Sequence, residues 1–94
     1  MTEQQIQKKI VTYLETQGCY VIKVISASKA GVLDIVGCYE GVFFTIEVKT
    51  PQTRNNVSKL QIYNADLCRQ AGGYSLVAWN VEQVEDFIGG LLIW

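Results

Sequence analysis

The chain has 94 residues, enough for one modest core, and with 49% of them apolar and 18% charged it is expected to fold as a single domain, residues 1–94. A net charge of −1 argues against a general nucleic-acid coat protein, and the absence of histidine excludes imidazole-based catalysis. Three scattered cysteines, Cys19, Cys38 and Cys68, resemble neither a disulfide framework nor a zinc site, no apolar run spans a bilayer, and residues 1–5 lack the pattern of a secretory signal, so a cytosolic protein without membrane association is expected.

Thr2 followed by Gln5 is a capping-box pattern, and Ile6, Ile10, Tyr13 and Leu14 recur at helical spacing until Gly18 stops the helix. Residues 19–25 form a short β-branched run, hence a strand. Residues 26–31 are small and polar and read as a loop. Residues 33–38 are a second apolar run that contains one carboxylate, Asp34. A tight turn at Tyr39-Glu40-Gly41 joins it to a third strand over 42–49, which makes an antiparallel hairpin. After a polar loop at 51–57, Ser58 and Gln61 repeat the capping box and open a helix to about Gln70, with Leu60, Tyr63 and Leu67 on one side. Gly72-Gly73 ends that helix, and residues 74–79 make a fourth strand. Asn80 caps a short last helix containing Val84, Phe87 and Ile88, which Gly89-Gly90 is expected to break before the apolar tail at 91–94. The strand aromatics Tyr20, Phe43, Phe44, Tyr74 and Trp79 read as core.

The distribution of charge is more telling than its sum. All eight Lys and Arg precede position 70, while Glu82, Glu85 and Asp86 make the last quarter acidic. Lys49, Arg54, Lys59 and Arg69 against Asp66 leave the middle segment at +4 − 1 = +3, compatible with a phosphate-facing surface.

The segment that demands chemistry is Gly31-Val-Leu-Asp34, twelve residues, then Glu47-Val48-Lys49. Alternation along a strand puts Glu47 and Lys49 on one face and Val48 on the other, in the core. In the hairpin, Asp34 lies across from the end of the third strand, which gathers two carboxylates and an ammonium in one small space. Two carboxylates and a backbone carbonyl, that of Val48, suit Mg²⁺ or Mn²⁺, which favour hard oxygen ligands. Lys49 could orient a water and offset charge on a phosphodiester undergoing hydrolysis. Taken alone, a Glu-x-Lys in a strand is more often a plain ion pair, and an Asp before a strand a turn residue.

The αβββαβ order with Asp34 and Glu47-x-Lys49 resembles the PD-(D/E)xK nuclease superfamily. Within it the chain resembles a stand-alone VRR-NUC domain, on the strength of Glu3, Gly31 to Asp34, Ile46-Glu47-Val48-Lys49 and Ser58-x-x-Gln61. The family's usual proline before the first Asp is Leu33 here. The resemblance implies a restriction-endonuclease-like α/β fold, a mixed sheet flanked by helices. It implies Asp34 and Glu47 as metal ligands, Lys49 as the catalytic lysine, Gln61 as a helix residue pointing into the site, and Glu3 as an outer-shell group. Gln61 could equally serve only its capping box, and Glu3 only the helix dipole. Ser26, Ser28 and Lys29, in the loop before Asp34, could touch phosphate or be plainly solvated.

The activity expected is Mg²⁺- or Mn²⁺-dependent DNA endonuclease action on branched DNA such as Holliday junctions or flaps. A viral or mobile-element source would suit the resemblance. A homodimer is expected, because the apolar tail needs cover and the resemblance implies that stand-alone members dimerise. The alternatives are a non-cutting DNA-binding or assembly module on the same fold, and an unrelated α/β domain with a structural acidic pair.

Overall fold

The computed structural model describes residues 1–92; Ile93 and Trp94, the end of the expected tail, lie outside them. Among the described residues the order is α1 (Glu3–Thr16), β1 (Tyr20–Lys23), β2 (Ile35–Tyr39), β3 (Val42–Val48), α2 (Lys59–Gln70), β4 (Tyr74–Ala78) and α3 (Val81–Leu92). The strands form one sheet in the order β1-β2-β3-β4, antiparallel except for the parallel pair β3–β4. This is the expected α/β restriction-endonuclease-like arrangement, a mixed sheet with helices on both faces.

Local chemistry sets the ends of the elements. Thr2 caps α1, its Oγ1 accepting from the Gln5 N–H at 3.2 Å while its own N–H donates to Gln5 Oε1 at 2.8 Å. Ile6, Ile10 and Leu14 then fall on one stripe and are buried against the sheet. The β2–β3 turn is Glu40-Gly41, both at positive φ (51° and 79°), the conformation that a two-residue hairpin requires.

The core lies between the sheet and the α1/α3 layer. Ile35, Phe44, Ile46, Val48 and Ala78 point into it from the strands, and Val84 and Ile88 from α3. Each of these side chains except the small Ala78 contributes roughly 1.5–3 kcal/mol by leaving water. The opposite face carries Thr45 and Glu47 of β3 together with α2, which lies over β3 and β4. The outer faces of β1 and β2 are left without a helix.

Three expectations are corrected. First, the strand expected over 19–25 is only four residues long. Its pairing ends at Lys23↔Ile35; Val24 N–H makes one more bond to the Asp34 carbonyl at 2.8 Å, and Ile25 turns out into solvent, 93% exposed. β-Propensity cannot extend a strand past the end of its partner.

Second, Gly89-Gly90 does not break the last helix, which continues to Leu92. Each helical glycine costs about 1 kcal/mol. That is less than the roughly 1.5–3 kcal/mol from each of Val84 and Ile88 on the same helix. Phe87, edge-on to Phe44 at 5.5 Å, adds to the anchorage, and Leu91 packs on the core beyond the glycines.

Third, Tyr20 (69% exposed), Phe43 (45%) and Tyr74 are not core. Tyr20 and Phe43 follow the alternation of their strands onto the side that α2 covers only in part, whereas Tyr74, paired with Phe44, lies at the margin of the α3 side, its ring 5.8 Å from that of Phe87. Leu60 and Tyr63 of α2 are exposed as well, so this helix buries no residue fully.

The loop between β1 and β2 comes close to α2. A Cβ on Gly31 (φ 81°) would stand 2.8 Å from the Leu60 carbonyl carbon, Leu60 Cγ and Asn64 Nδ2. Asn64 Nδ2 also donates to the Ala30 carbonyl at 3.2 Å. Gly31 thus lets the loop rest on α2 and deliver Asp34 to the end of β2. Gly31→Ala is expected to lose about 2–3 kcal/mol of stability, from a left-handed alanine plus overpacking against backbone. Urea unfolding followed by circular dichroism measures it, and a loss below about 0.5 kcal/mol, the ordinary surface range, would show that the close approach is unimportant.

Candidate active site

Glu47 is the second-last residue of β3 and is only 2% exposed. A carboxylate so placed needs compensation for lost hydration. Two donors converge on one of its oxygens. Lys49 Nζ stands 3.4 Å from Oε2, and Gln61 Nε2 donates to the same atom at 2.8 Å. The other oxygen, Oε1, is buried with no hydrogen-bond partner among the described residues. Alternation along β3 puts Glu47 and Lys49 on the α2 face, while Val48 is fully buried in the core on the other, as its spacing required.

Asp34 comes to the same place through the hairpin register. Ile35 pairs with Ile46, so one step further out Asp34 stands opposite Glu47. Its Oδ2 accepts a hydrogen bond from the Val48 backbone N–H at 2.8 Å, tying the loop end to β3.

Gln61 reconciles the two roles considered for it. Its Oε1 accepts from the Ser58 N–H at 2.9 Å, and its own N–H donates to Ser58 Oγ at 3.1 Å, completing the capping box. Its Nε2 remains free to hold Glu47. One amide caps α2 and reaches the site, because the carbonyl and amino ends point opposite ways.

Burial pushes the Glu47 carboxyl up, the charge of Asp34 pushes it further, Lys49 pulls it back, and Glu3 adds a smaller push, leaving it at about 7. Glu3, in the first turn of α1 and half-buried, is therefore close enough for its charge to be felt. Ser26 and Ser28 are exposed. Lys29 lines a separate cleft of about 690 Å³ between α2 and the sheet, with Val36, Phe43 and Tyr74, which contains none of Asp34, Glu47 and Lys49. The void touching Glu47, with Leu33, Val57 and Gln61, is about 80 Å³.

The residues present fit a divalent cation. Two like charges face each other, and one buried carboxylate oxygen lacks a partner. Among the described residues no three His, Cys, Asp or Glu side chains form a ligand cluster. An ion here would thus draw on Asp34, Glu47 and backbone oxygen rather than on an all-side-chain cage.

Two residues near the site gave no usable spacing signal. Asn64 holds the loop that precedes Asp34. Gln7, one helical turn after Glu3, is buried with its Oε1 unpartnered among the described residues; a glutamine interrupting the apolar stripe of α1 was its only mark.

The element order, the mixed sheet and the meeting of Asp34 with Glu47-x-Lys49 define a nuclease domain of the PD-(D/E)xK type. A solved structure titled "VRR_NUC domain" superposes with a TM-score of 0.78 at 25% identity, covering 95% of this chain and 97% of that one. The archaeal Holliday junction resolvase (Hjc) family matches residues 3–90, and the chain belongs to that family. No curated protein matches it significantly. The expected resemblance to a VRR-NUC-like nuclease domain is thereby borne out.

The raised Glu47 value has a consequence for stability without metal. Between the ordinary value of 4.5 and about 7 the folded chain keeps a proton that the unfolded chain has released, so stability falls as pH rises through this window. Glu47→Gln is expected to abolish that fall and to melt above wild type at pH about 8. Thermal melts in EDTA across the range test this; a wild-type curve no steeper than that of the variant would contradict it.

Proposed function

We propose that this protein is a single-domain, divalent-metal-dependent DNA endonuclease selective for branched DNA, cutting at Asp34, Glu47 and Lys49. The observation that carries the reading is the Glu47 carboxylate: buried, held through one oxygen by Lys49 and Gln61, open at the other, and facing Asp34. A purely structural ion pair would have no use for a second carboxylate opposite it or for an open buried oxygen. The Holliday-junction preference is taken from the name of the matching family.

In this reading Asp34, Glu47 and the Val48 carbonyl hold Mg²⁺ or Mn²⁺, and Glu3 acts from outside the ligand set. When bound, the ion supplies a Lewis acid for the phosphate and a lowered pKa for a water. Gln61 fixes the rotamer of Glu47, and its cap with Ser58 fixes Gln61. The bond from Val48 N–H keeps Asp34 aimed across the hairpin. Lys49, already within 3.4 Å of Glu47, sits where it can orient the attacking water and offset charge growing on the phosphate oxygens.

A homodimer fits this activity, since two sites can cut two strands of a junction. Its support comes from the sheet rather than from the chain terminus. Tyr20, Ile22 and Phe43 expose an apolar face on β1–β3 that no helix covers, continuous through Val36 and Phe43 with the 690 Å³ cleft beside α2. None of the described helices is long and apolar enough to cross a membrane.

Labelled four-way junction, flap and plain duplex are expected to separate the possibilities. With Mg²⁺ or Mn²⁺ the junction should be cut fastest, and Lys49→Ala or Asp34→Asn should slow cutting by roughly 10²–10³-fold or more. Binding without cutting by the folded wild-type protein, with either metal, would move the assignment to a non-cutting DNA-binding module. For the dimer, light scattering at micromolar concentration should give twice the chain mass for wild type and the single mass for Phe43→Lys. A monomeric wild type would remove this part of the proposal.

A further inference from the structure

The middle of the chain carries an excess of positive charge, and the structure divides it unequally. Lys49 is paired with Glu47, and Arg69 is held by Asp66 at 3.1 Å and by the Ser75 carbonyl at 2.8 Å. Arg54 differs from both. It lies in the loop that follows Lys49, and among the described residues it has no carboxylate partner.

That loop is built. Thr50 N–H donates to Thr53 Oγ1 at 2.9 Å, Thr53 N–H donates to Thr50 Oγ1 at 3.1 Å, and the two hydroxyls lie 3.0 Å apart. Asn56 N–H closes on the Thr53 carbonyl at 2.8 Å. Arg54 folds back over this turn, Nη1 donating to the Pro51 carbonyl at 2.8 Å, and its Cζ stands 5.9 Å from the centre of the Trp79 ring. The position of Trp79 gives this contact its meaning. Val48 pairs with Ala78, and Lys49 N–H bonds to the Ala78 carbonyl at 2.9 Å, so Trp79 follows in register opposite Lys49. The guanidinium is thereby held on the loop that leaves the site at Lys49, against the residue that follows β4, exposed, with one of its five N–H donors used by Pro51.

We infer that Arg54, propped on Trp79 and Pro51, binds a backbone phosphate of the DNA strand next to the one that is cut. The inference rests on the DNA-cleaving reading of the site. A guanidinium ordered in advance loses little freedom on meeting a phosphate, whose two oxygens match its fork. A loop tied at both ends by Thr50 and Thr53 keeps that fork at a constant offset from Lys49, which would set where along the strand the scissile bond falls.

The test is the salt dependence of binding to a labelled four-way junction, with Ca²⁺ in place of Mg²⁺ to prevent cutting, between about 50 and 300 mM salt. Arg54→Gln should lower the affinity roughly eight- to tenfold at 0.1 M salt and flatten the slope of log K against log salt by about 0.9, the share of one phosphate. Arg54→Lys should recover the slope, since it keeps the charge. Thermal melts verify that each variant is folded. An Arg54→Gln slope equal to that of wild type, or an Arg54→Lys slope no steeper than that of Arg54→Gln, would overturn the inference while leaving the nuclease reading intact. Wild-type protein that binds no DNA at any salt would overturn both.

Discussion

A carboxylate buried on the central strand organises this small protein. Glu47 cannot stay ionised in the interior without donors, and β3 is flanked on both sides by strands, so the donors must come from its own strand and from above the sheet. Lys49, two residues along the same face, is one. Gln61, at the start of α2, is the other. The placement of α2 thus follows from a polar requirement as much as from apolar burial, which explains how a helix with no fully buried residue keeps a defined seat. The hydrogen bonds still leave one Glu47 oxygen without a partner and the carboxyl well above its usual range. Such imbalance marks Glu47 as a candidate functional group.

The two faces of the sheet divide the labour. Toward α1 and α3 the strands present Ile35, Phe44, Ile46, Val48 and Ala78, and this side contains the apolar core. Toward α2 they present Thr45, Ser75 and Glu47, with Thr45 and Ser75 hydroxyls bonded at 2.7 Å. The polar side has room for a site because the buried apolar cluster lies on the other side of the sheet. The same division leaves Tyr20 and Phe43 uncovered, since twelve residues of α2 extend over β3 and β4 but not over β1 and β2.

Much of this was legible in the chain itself. Both capping boxes, Thr2 with Gln5 and Ser58 with Gln61, are local chemistry spanning three residues and formed as their spacing implied. The hairpin turn at Glu40-Gly41 and the shared face of Glu47 and Lys49 follow from backbone conformation and the two-residue period of a strand. Asp34 opposite Glu47 follows once the turn sets the register.

What the tertiary structure decided are the outcomes in which distant partners compete with local preference. Helix α3 passes through Gly89-Gly90 because Val84 and Ile88 are buried from the same helix. The first strand stops at Lys23 because its partner begins at Ile35, whatever the β-propensity of Val24 and Ile25. Aromatic strand residues read as core or surface according to which face a helix reaches, and no pattern within a strand records that. Gln61 looked like a choice between cap and site, and only the packing of α2 over β3 allowed it both. Sequence determines contacts that lie within a turn of helix or a hairpin, because covalent geometry already brings those residues together. Contacts between elements depend on how much surface each must hide, and that is settled only when the whole chain has packed.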